Sequence, residues 1–409
     1  MNDLITPLFE STLLRYIKET FLPQRFHRSQ SAFDFNEKDV RFFANGAAQL
    51  SQAFTSGRRL LPKNYFNKKE YRSAYLLYFT LTNFAKVIKC LDETARLVDP
   101  QARRPAGESV GPPVPDTSPS SSGINVLDVG CGPGTASLAC SSFFSKRLPA
   151  TPLSITAIDQ NREILRDARA LLSLNAPPHH TTRVAQEMIG PRFPGRSLKG
   201  KSFDLIIAAN FLNEIGSVRE QVELCQTLTD RYLNPRGILI VLDPALQKTT
   251  RALMEVRDLL HANILSPCLH QQPCPMLAHN RRDWCHFYLE WNCPRTIRKV
   301  DHLLGIKHDY LKMAYLIAQK SDPAQDERNH VNLWRVVSSP LKSKGRCEFV
   351  LCGQGCLRRI SRLDRDRSDL NAKFDMIKRG DIIRIGDCIA RLSKDDSLEI
   401  RVPFNSISR

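Results

Sequence analysis

Nowhere in the 409 residues do apolar side chains run unbroken for the about 18 positions that a membrane-crossing helix needs, so no membrane span is expected. The opening stretch, MNDLITPLFESTLLRYIKET, has no apolar run behind a basic start, so no secretory signal is expected. Asp3 and Glu10 within it weigh against an organellar transit peptide, a class poor in acidic residues. No internal repeat is visible, so solenoids and propellers are not expected. Acidic residues are the scarcer charge: 59 Lys and Arg stand against 42 Asp and Glu, a formal charge of +17, and a field of that sign attracts polyanions such as RNA.

Cysteine is plentiful, with twelve in the chain. Without a secretory route they sit in a reducing compartment, where thiols serve as metal ligands or small buried hydrophobes rather than disulfides. A bacterial cytoplasm is the expected compartment, with the mitochondrial matrix as the alternative.

The length suggests two or three compact units. Residues 1–98 read as helical, because Tyr71, Tyr75, Leu76, Phe79, Phe84, Val87 and Leu91 recur at helical spacing. Residues 99–123 turn to Pro, Ser, Gly and Ala, a composition that builds no core and reads as a flexible linker. Four short apolar runs follow within residues 124–262: INVLDVG, SITAID, FDLIIAAN and GILIVLD, separated by stretches long enough for crossover helices. That alternation predicts an α/β, doubly wound, Rossmann-like sheet of buried parallel strands. Residues 263–356 form a Cys-rich region with strand-like segments, and 357–409 a basic, β-rich tail. From Pro340 to Arg409 there are 16 Lys and Arg against 10 Asp and Glu.

The first run ends in Asp128-Val129-Gly130-Cys131-Gly132-Pro133-Gly134, a strand closing on a glycine-rich turn that opens a helix. Gly130, Gly132 and Gly134 let backbone pass close to a ligand at the carboxyl edge of the sheet. The second run ends in Asp159, placed to accept hydrogen bonds from ribose hydroxyls. The glycine spacing resembles the E/DxGxGxG string of class I S-adenosylmethionine-dependent methyltransferases rather than the GxGxxG of dinucleotide enzymes. That resemblance places Asp128 near the methionine amino group, Asp159 on the ribose, and Gln186 or Glu187 near the adenine. The third of these runs, expected as the fourth strand, closes on Asn210-Phe211-Leu212-Asn213-Glu214. Amine-directed nucleic-acid methyltransferases carry Asn or Asp, two prolines and an aromatic there. Asn210 and Phe211 keep the amide and the ring, making them the weak catalytic candidates, but the rigid double proline is missing. Pro267-Cys268 lies too far along the chain to act as a cytosine-C5 nucleophile.

Cys268-Leu269-His270-Gln271-Gln272-Pro273-Cys274-Pro275, followed by Asp283-Trp284-Cys285-His286-Phe287, bunches thiols and prolines as a ligand loop does. Three sulfurs need a fourth donor: Cys352 in CEFVLCGQGC, with Cys293, Cys347 and Cys356 as alternatives. All-thiolate ligation suits zinc or an iron-sulfur cluster, and His270 and His286 leave a mixed Cys and His zinc site open.

The order of these motifs resembles the small-ribosomal-subunit assembly family of Rsm twenty-two in yeast and methyltransferase-like protein seventeen in animals, over about Tyr71 to Asp381. Leu212-Asn213-Glu214 and Pro340-Leu341-Lys342 match it too. Leu269 in place of a proline, and Asp243-Pro244-Ala245 in place of Glu-Pro-Gly, depart from it without removing a ligand. The resemblance implies a 4Fe-4S cluster on Cys268, Cys274, Cys285 and Cys352, S-adenosyl-L-methionine as the other cofactor, and action on small-subunit rRNA, with several members catalytically silent. An active rRNA methyltransferase and a zinc-stapled RNA-binding module are the alternatives.

Overall fold

The computed structural model describes residues 4–22, 35–56, 64–98, 123–191, 193, 195–279, 281–320, 332–386 and 389–405. The expected linker, 99–123, lies outside them except for Gly123. The chain divides into two compact units, one from residues 1–91, 119–211 and 290–311, the other from 92–118, 212–289 and 312–409. No helix among the described residues is long and apolar enough to cross a membrane.

The first unit begins with helices. Thr6 caps Pro7–Phe21, accepting from the Phe9 amide, and Pro7 supplies a backbone already set for a first turn. Helix Glu37–Ser56 follows, then Lys69–Ala74, which runs through a π-helical turn, Tyr75–Phe79, into Thr80–Val98, a helix whose residues from Asp92 on belong to the second unit. Strands β1 (Ile124–Val129), β2 (Leu153–Asp159), β3 (His180–Gln186) and β4 (Phe203–Ala209) come next. They stand side by side in the order β3-β2-β1-β4. Pairing of β1 with β2, β2 with β3 and β1 with β4 is parallel. The chain therefore builds outward from β1 to β3, then crosses back to place β4 on the other side of β1. That reversal is the switch point at which open α/β sheets bind ligands. Val126, Leu127, Ile155, Ile158, Ile206 and Ile207 are buried along these strands, in keeping with apolar runs that need cover on both faces. The N-terminal helices are pinned to helix Arg162–Asn175: the Tyr16 hydroxyl donates to Asp167 at 2.6 Å and Arg72 pairs with Glu163 and Asp167, each at 3.2 Å.

In the second unit β5 (Leu233–Asp243) and β6 (Asn263–Ser266) both pair antiparallel with β8 (Tyr310–Gln319), which β7 (Phe287–Glu290) also joins. Helix Val218–Thr227 opens on a reciprocal cap between Ser217 and Glu220. Helix Gln247–Leu259 leads from β5 to β6. A second sheet is made of β9 (Leu333–Val336), β10 (Leu341–Ser343), β11 (Arg346–Gly353), β12 (Cys356–Leu363), β13 (Ile382–Arg384), β14 (Arg391–Leu392) and β15 (Glu399–Val402), in the order β14-β12-β11-β9-β13-β15 with β10 on β11. Trp334, Phe349, Ile360, Phe374 and Leu392 form its core. Position 356 falls at the turn of the β11–β12 hairpin, where Gly353 faces Cys356, so residues on both sides of it share this sheet.

Candidate cofactor turn and cysteine-lined cavity

At the switch point, Gly130, Gly132 and Gly134 all have positive φ, and Gly134 leads into helix Thr135–Arg147. The turn is tied to β2 by Asp159, whose Oδ2 accepts from the Gly132 amide at 3.0 Å while Oδ1 accepts from Asn161 at 2.8 Å. Asp128 is buried on β1, and its Oδ2 accepts from both the amide and the hydroxyl of Ser137, at 2.9 and 2.7 Å. Burial pushes this carboxyl up to about 6, against the pull of Ser137 in the other direction. A Cβ built on Gly132 would meet nothing within 4 Å, whereas one on Gly130 would lie 2.3 Å from the Phe211 ring. The turn thus opens a vacant face at Gly132 and is packed shut at Gly130. That open glycine, beside an acidic strand end, fits an adenosyl cofactor.

Asn210 takes a left-handed backbone, φ 56°, and delivers Phe211 onto Gly130, where the ring is buried. Gln186 is exposed and donates to the Gln160 carbonyl. Glu187 is buried and engaged by the amides of Arg196 and Ser197, at 3.2 and 3.1 Å. Asn213 donates to Asp243 at 2.6 Å within the second unit.

Cys268, Cys274, Cys285 and Cys352 come from separate segments of the second unit, namely the exit of β6, the start of the short helix Pro275–His279, the approach to β7 and the end of β11, yet all four line one cavity of about 40 Å³. That volume holds roughly three water-sized spheres. Burial pushes the Cys274 thiol up to about 11 and the Cys285 and Cys352 thiols higher, and in each case a neighbouring thiol adds to the effect. Of the alternatives, Cys293 belongs to the first unit beside Asp301, Cys347 packs against the core of the second sheet, and Cys356 is exposed. His270 is buried and its Nε2 lies 3.8 Å from Cys352 Sγ. Burial and the neighbouring Arg379 push His286 down to about 4. Among the described residues, no group of three or more His, Cys, Asp or Glu is arranged to hold a metal ion.

Sequence reasoning missed the cations around this cavity. Arg335 on β9 is buried, donating to the Pro267 and Gly380 carbonyls at 3.0 Å and pairing with Glu93 at 2.9 Å. Arg257 holds the 268–274 loop, with Nη2 on the His270 carbonyl and Nη1 on the Gln272 carbonyl, each at 2.6 Å. The signal was present: Thr250, Leu253, Met254 and Arg257 follow the i, i+3, i+4, i+7 spacing of a buried stripe, which puts Arg257 where a core side chain belongs.

The sequence profile of the family described as "Mitochondrial small ribosomal subunit Rsm22" matches residues 108–364, more than half of the chain. The chain belongs to the Rsm22 family. It is similar to Rsm22-cox11 tandem proteins 1 and 2, mitochondrial, of Schizosaccharomyces pombe, each 26% identical over 273 residues and covering 56% of this chain and 34% of the relative. It therefore spans about a third of the length of the curated Rsm22 relatives it matches. Among solved structures it is similar to a methyltransferase from Pyrococcus furiosus (15% identity, 49% of this chain and 76% of that one, TM-score 0.29). It is also similar to a precorrin-6y C5,15-methyltransferase from Geobacter metallireducens (14% identity, 49% and 81%, TM-score 0.30). The fold of this Rsm22 member rests on its strand order, not on those two matches.

Proposed function

We propose that this Rsm22-family chain is an S-adenosylmethionine-binding factor of the small ribosomal subunit that docks on rRNA through its basic surface, with a 4Fe-4S cluster on Cys268, Cys274, Cys285 and Cys352 holding its second unit in shape. The observation that carries the reading is that these four cysteines, spread across separate segments, line a single cavity. Four thiolates around one space are a donor set that suits a 4Fe-4S cluster. The vacant face at Gly132 supports the nucleoside cofactor, with Asp159 beside it for the ribose and Asp128 for the amino group. When bound, that cofactor supplies an electrophilic methyl group. The residues around it favour binding over transfer. Phe211, the aromatic ring of the Asn210–Glu214 segment, is buried against Gly130 and so is not available to stack on a flipped base. The word mitochondrial in the family description and in the names of both relatives supports the mitochondrial matrix over a bacterial cytoplasm.

Anaerobic purification followed by iron, sulfide and zinc analysis tests the reading. The expected result is about four irons and four sulfides per chain, lost in Cys274→Ser. Stoichiometric zinc without iron would overturn the cluster and leave the cofactor turn standing.

A further inference from the structure

Helix Gln247–Leu259 turns Thr250, Leu253, Met254 and Arg257 toward the cysteine-lined cavity. Leu253 and Met254 are ordinary core residues, but Arg257, only 5% exposed, sets a guanidinium among them. Three of its donors are used: Nη2 on the His270 carbonyl, and Nη1 on the Gln272 carbonyl and on Asp258 Oδ1, each at 2.6 Å. Asp258 in turn accepts from the Cys274 amide at 3.0 Å, so the loop between the first two cysteines is fixed at both ends through this one side chain. The Nε–H of Arg257 is buried and, like the buried hydroxyl of Thr250 two turns earlier, makes no hydrogen bond of good geometry among the described residues, while the guanidinium faces the Cys268 sulfur.

A buried donor left unsatisfied costs about 1–3 kcal/mol, and more when it is charged. Two such donors on one face, both belonging to residues that line the same cavity, are placed to donate to sulfur there, Arg257 toward Cys268 first. What the cavity offers is sulfur. Burial works against the charge on Arg257, but Cys268 and Asp258 outweigh it and hold the guanidinium protonated. Hydrogen bonds and positive charge directed at cluster sulfurs favour the more negative, reduced state, and so raise the reduction potential.

We propose that Arg257, through Nε, and Thr250, through its hydroxyl, donate hydrogen bonds to the sulfur atoms of the metal centre and set its reduction potential. This rests on the reading that the four cysteines hold an iron-sulfur cluster.

The test compares the anaerobically reconstituted full chain with its Thr250→Val, Arg257→Lys and Arg257→Met variants. Iron and sulfide content reports on the cluster itself, and dithionite titration with mediators reports the midpoint potential. Loaded Arg257→Met should shift the reduction equilibrium at least tenfold toward the oxidised cluster, a fall of about 59 mV for one electron. Thr250→Val and Arg257→Lys should move it in the same direction by less. In wild-type protein labelled with 15N-arginine, pulsed EPR of the reduced cluster should show a weak 15N coupling that Arg257→Lys removes. That measurement keeps the proposal open to refutation even where an Arg257 variant fails to load. Wild-type protein that takes up no iron would overturn the cluster reading and this proposal together. A loaded wild type without the arginine coupling, or loaded variants at unchanged potential, would overturn this proposal alone.

Discussion

Gly130 and Gly132 are two positions apart in one turn, both with positive φ, and they do different jobs. A Cβ at Gly130 would press to 2.3 Å against Phe211, while one at Gly132 would enter open space. Gly130→Ala should therefore lower thermal stability through overpacking of about 1–3 kcal/mol in addition to its backbone strain. Gly132→Ala should carry only the left-handed strain, about 1–2 kcal/mol, and stay folded while losing affinity for S-adenosylmethionine. Calorimetric binding beside thermal melts separates the two, and a Gly132→Ala chain of undiminished affinity would reject the cofactor turn. Asp128 adds a pH dependence. Its carboxyl is held near 6 by burial, so the ionised form that would attract an ammonium group is lost as pH falls through about 6. Binding should weaken between pH 7 and pH 5, and Asp128→Asn should abolish that dependence along with most of the affinity. The sign for stability is the reverse. Because the folded value lies above the usual carboxylate one, the neutral form is favoured by the fold, and that contribution disappears as pH rises through 6.

Among the elements, β9 carries the residue on which the second unit leans. Arg335 is buried, bonded to the Pro267 carbonyl just before the first cysteine and to Glu93 near the end of helix Thr80–Val98, where Glu93 also receives the hydroxyls of Ser266 and Tyr315. Removing one member of a buried pair strands the other charge, at about 3–5 kcal/mol. Arg335→Met should cost that much in denaturant unfolding, and Arg335→Met with Glu93→Gln should recover part of it. A double variant as unstable as the sum of its parts would mean the two side chains act independently. The pattern of these elements was unevenly legible. β1, β2, β4 and β5 stood out because strands covered on both faces must be apolar throughout. β3, His-Thr-Thr-Arg-Val-Ala-Gln, was expected only through the methyltransferase resemblance, just before Gln186 or Glu187, because it is solvated for most of its length and shows no apolar period of its own. The π-turn Tyr75–Phe79 takes up one extra residue, and its trace in the apolar spacing is only the five-residue step from Phe79 to Phe84. The glycine turn could be read because close ligand approach dictates where glycine must stand. Cys352 could be chosen from four candidates only through family resemblance, since no local pattern records which distant thiols will share a cavity. Arg257 went unread because arginine is taken for surface even where the helix period places it inside.

For the molecule as a whole, charge is the property that a ribosomal partner would sense first. The surplus of 17 positive charges is not confined to one segment: the Pro340–Arg409 stretch supplies six of it, 16 against 10, and the rest is distributed over the chain. Such a field acts on phosphates irrespective of base sequence, and each phosphate neutralised releases a counterion. Binding to small-subunit rRNA should therefore weaken linearly in log salt. If about six phosphates are contacted, affinity should drop on the order of 10³-fold between 50 and 200 mM. Gly132→Ala should leave that slope unchanged, because the open face at Gly132 contributes no cation to the RNA contact. Filter binding across a salt series, with wild type and Gly132→Ala side by side, reads both quantities. A flat salt dependence would remove the phosphate-docking reading. A slope that changed with the glycine would mean that cofactor binding and RNA binding draw on the same surface, and the assignment of separate roles to the turn and to the basic exterior would have to be abandoned.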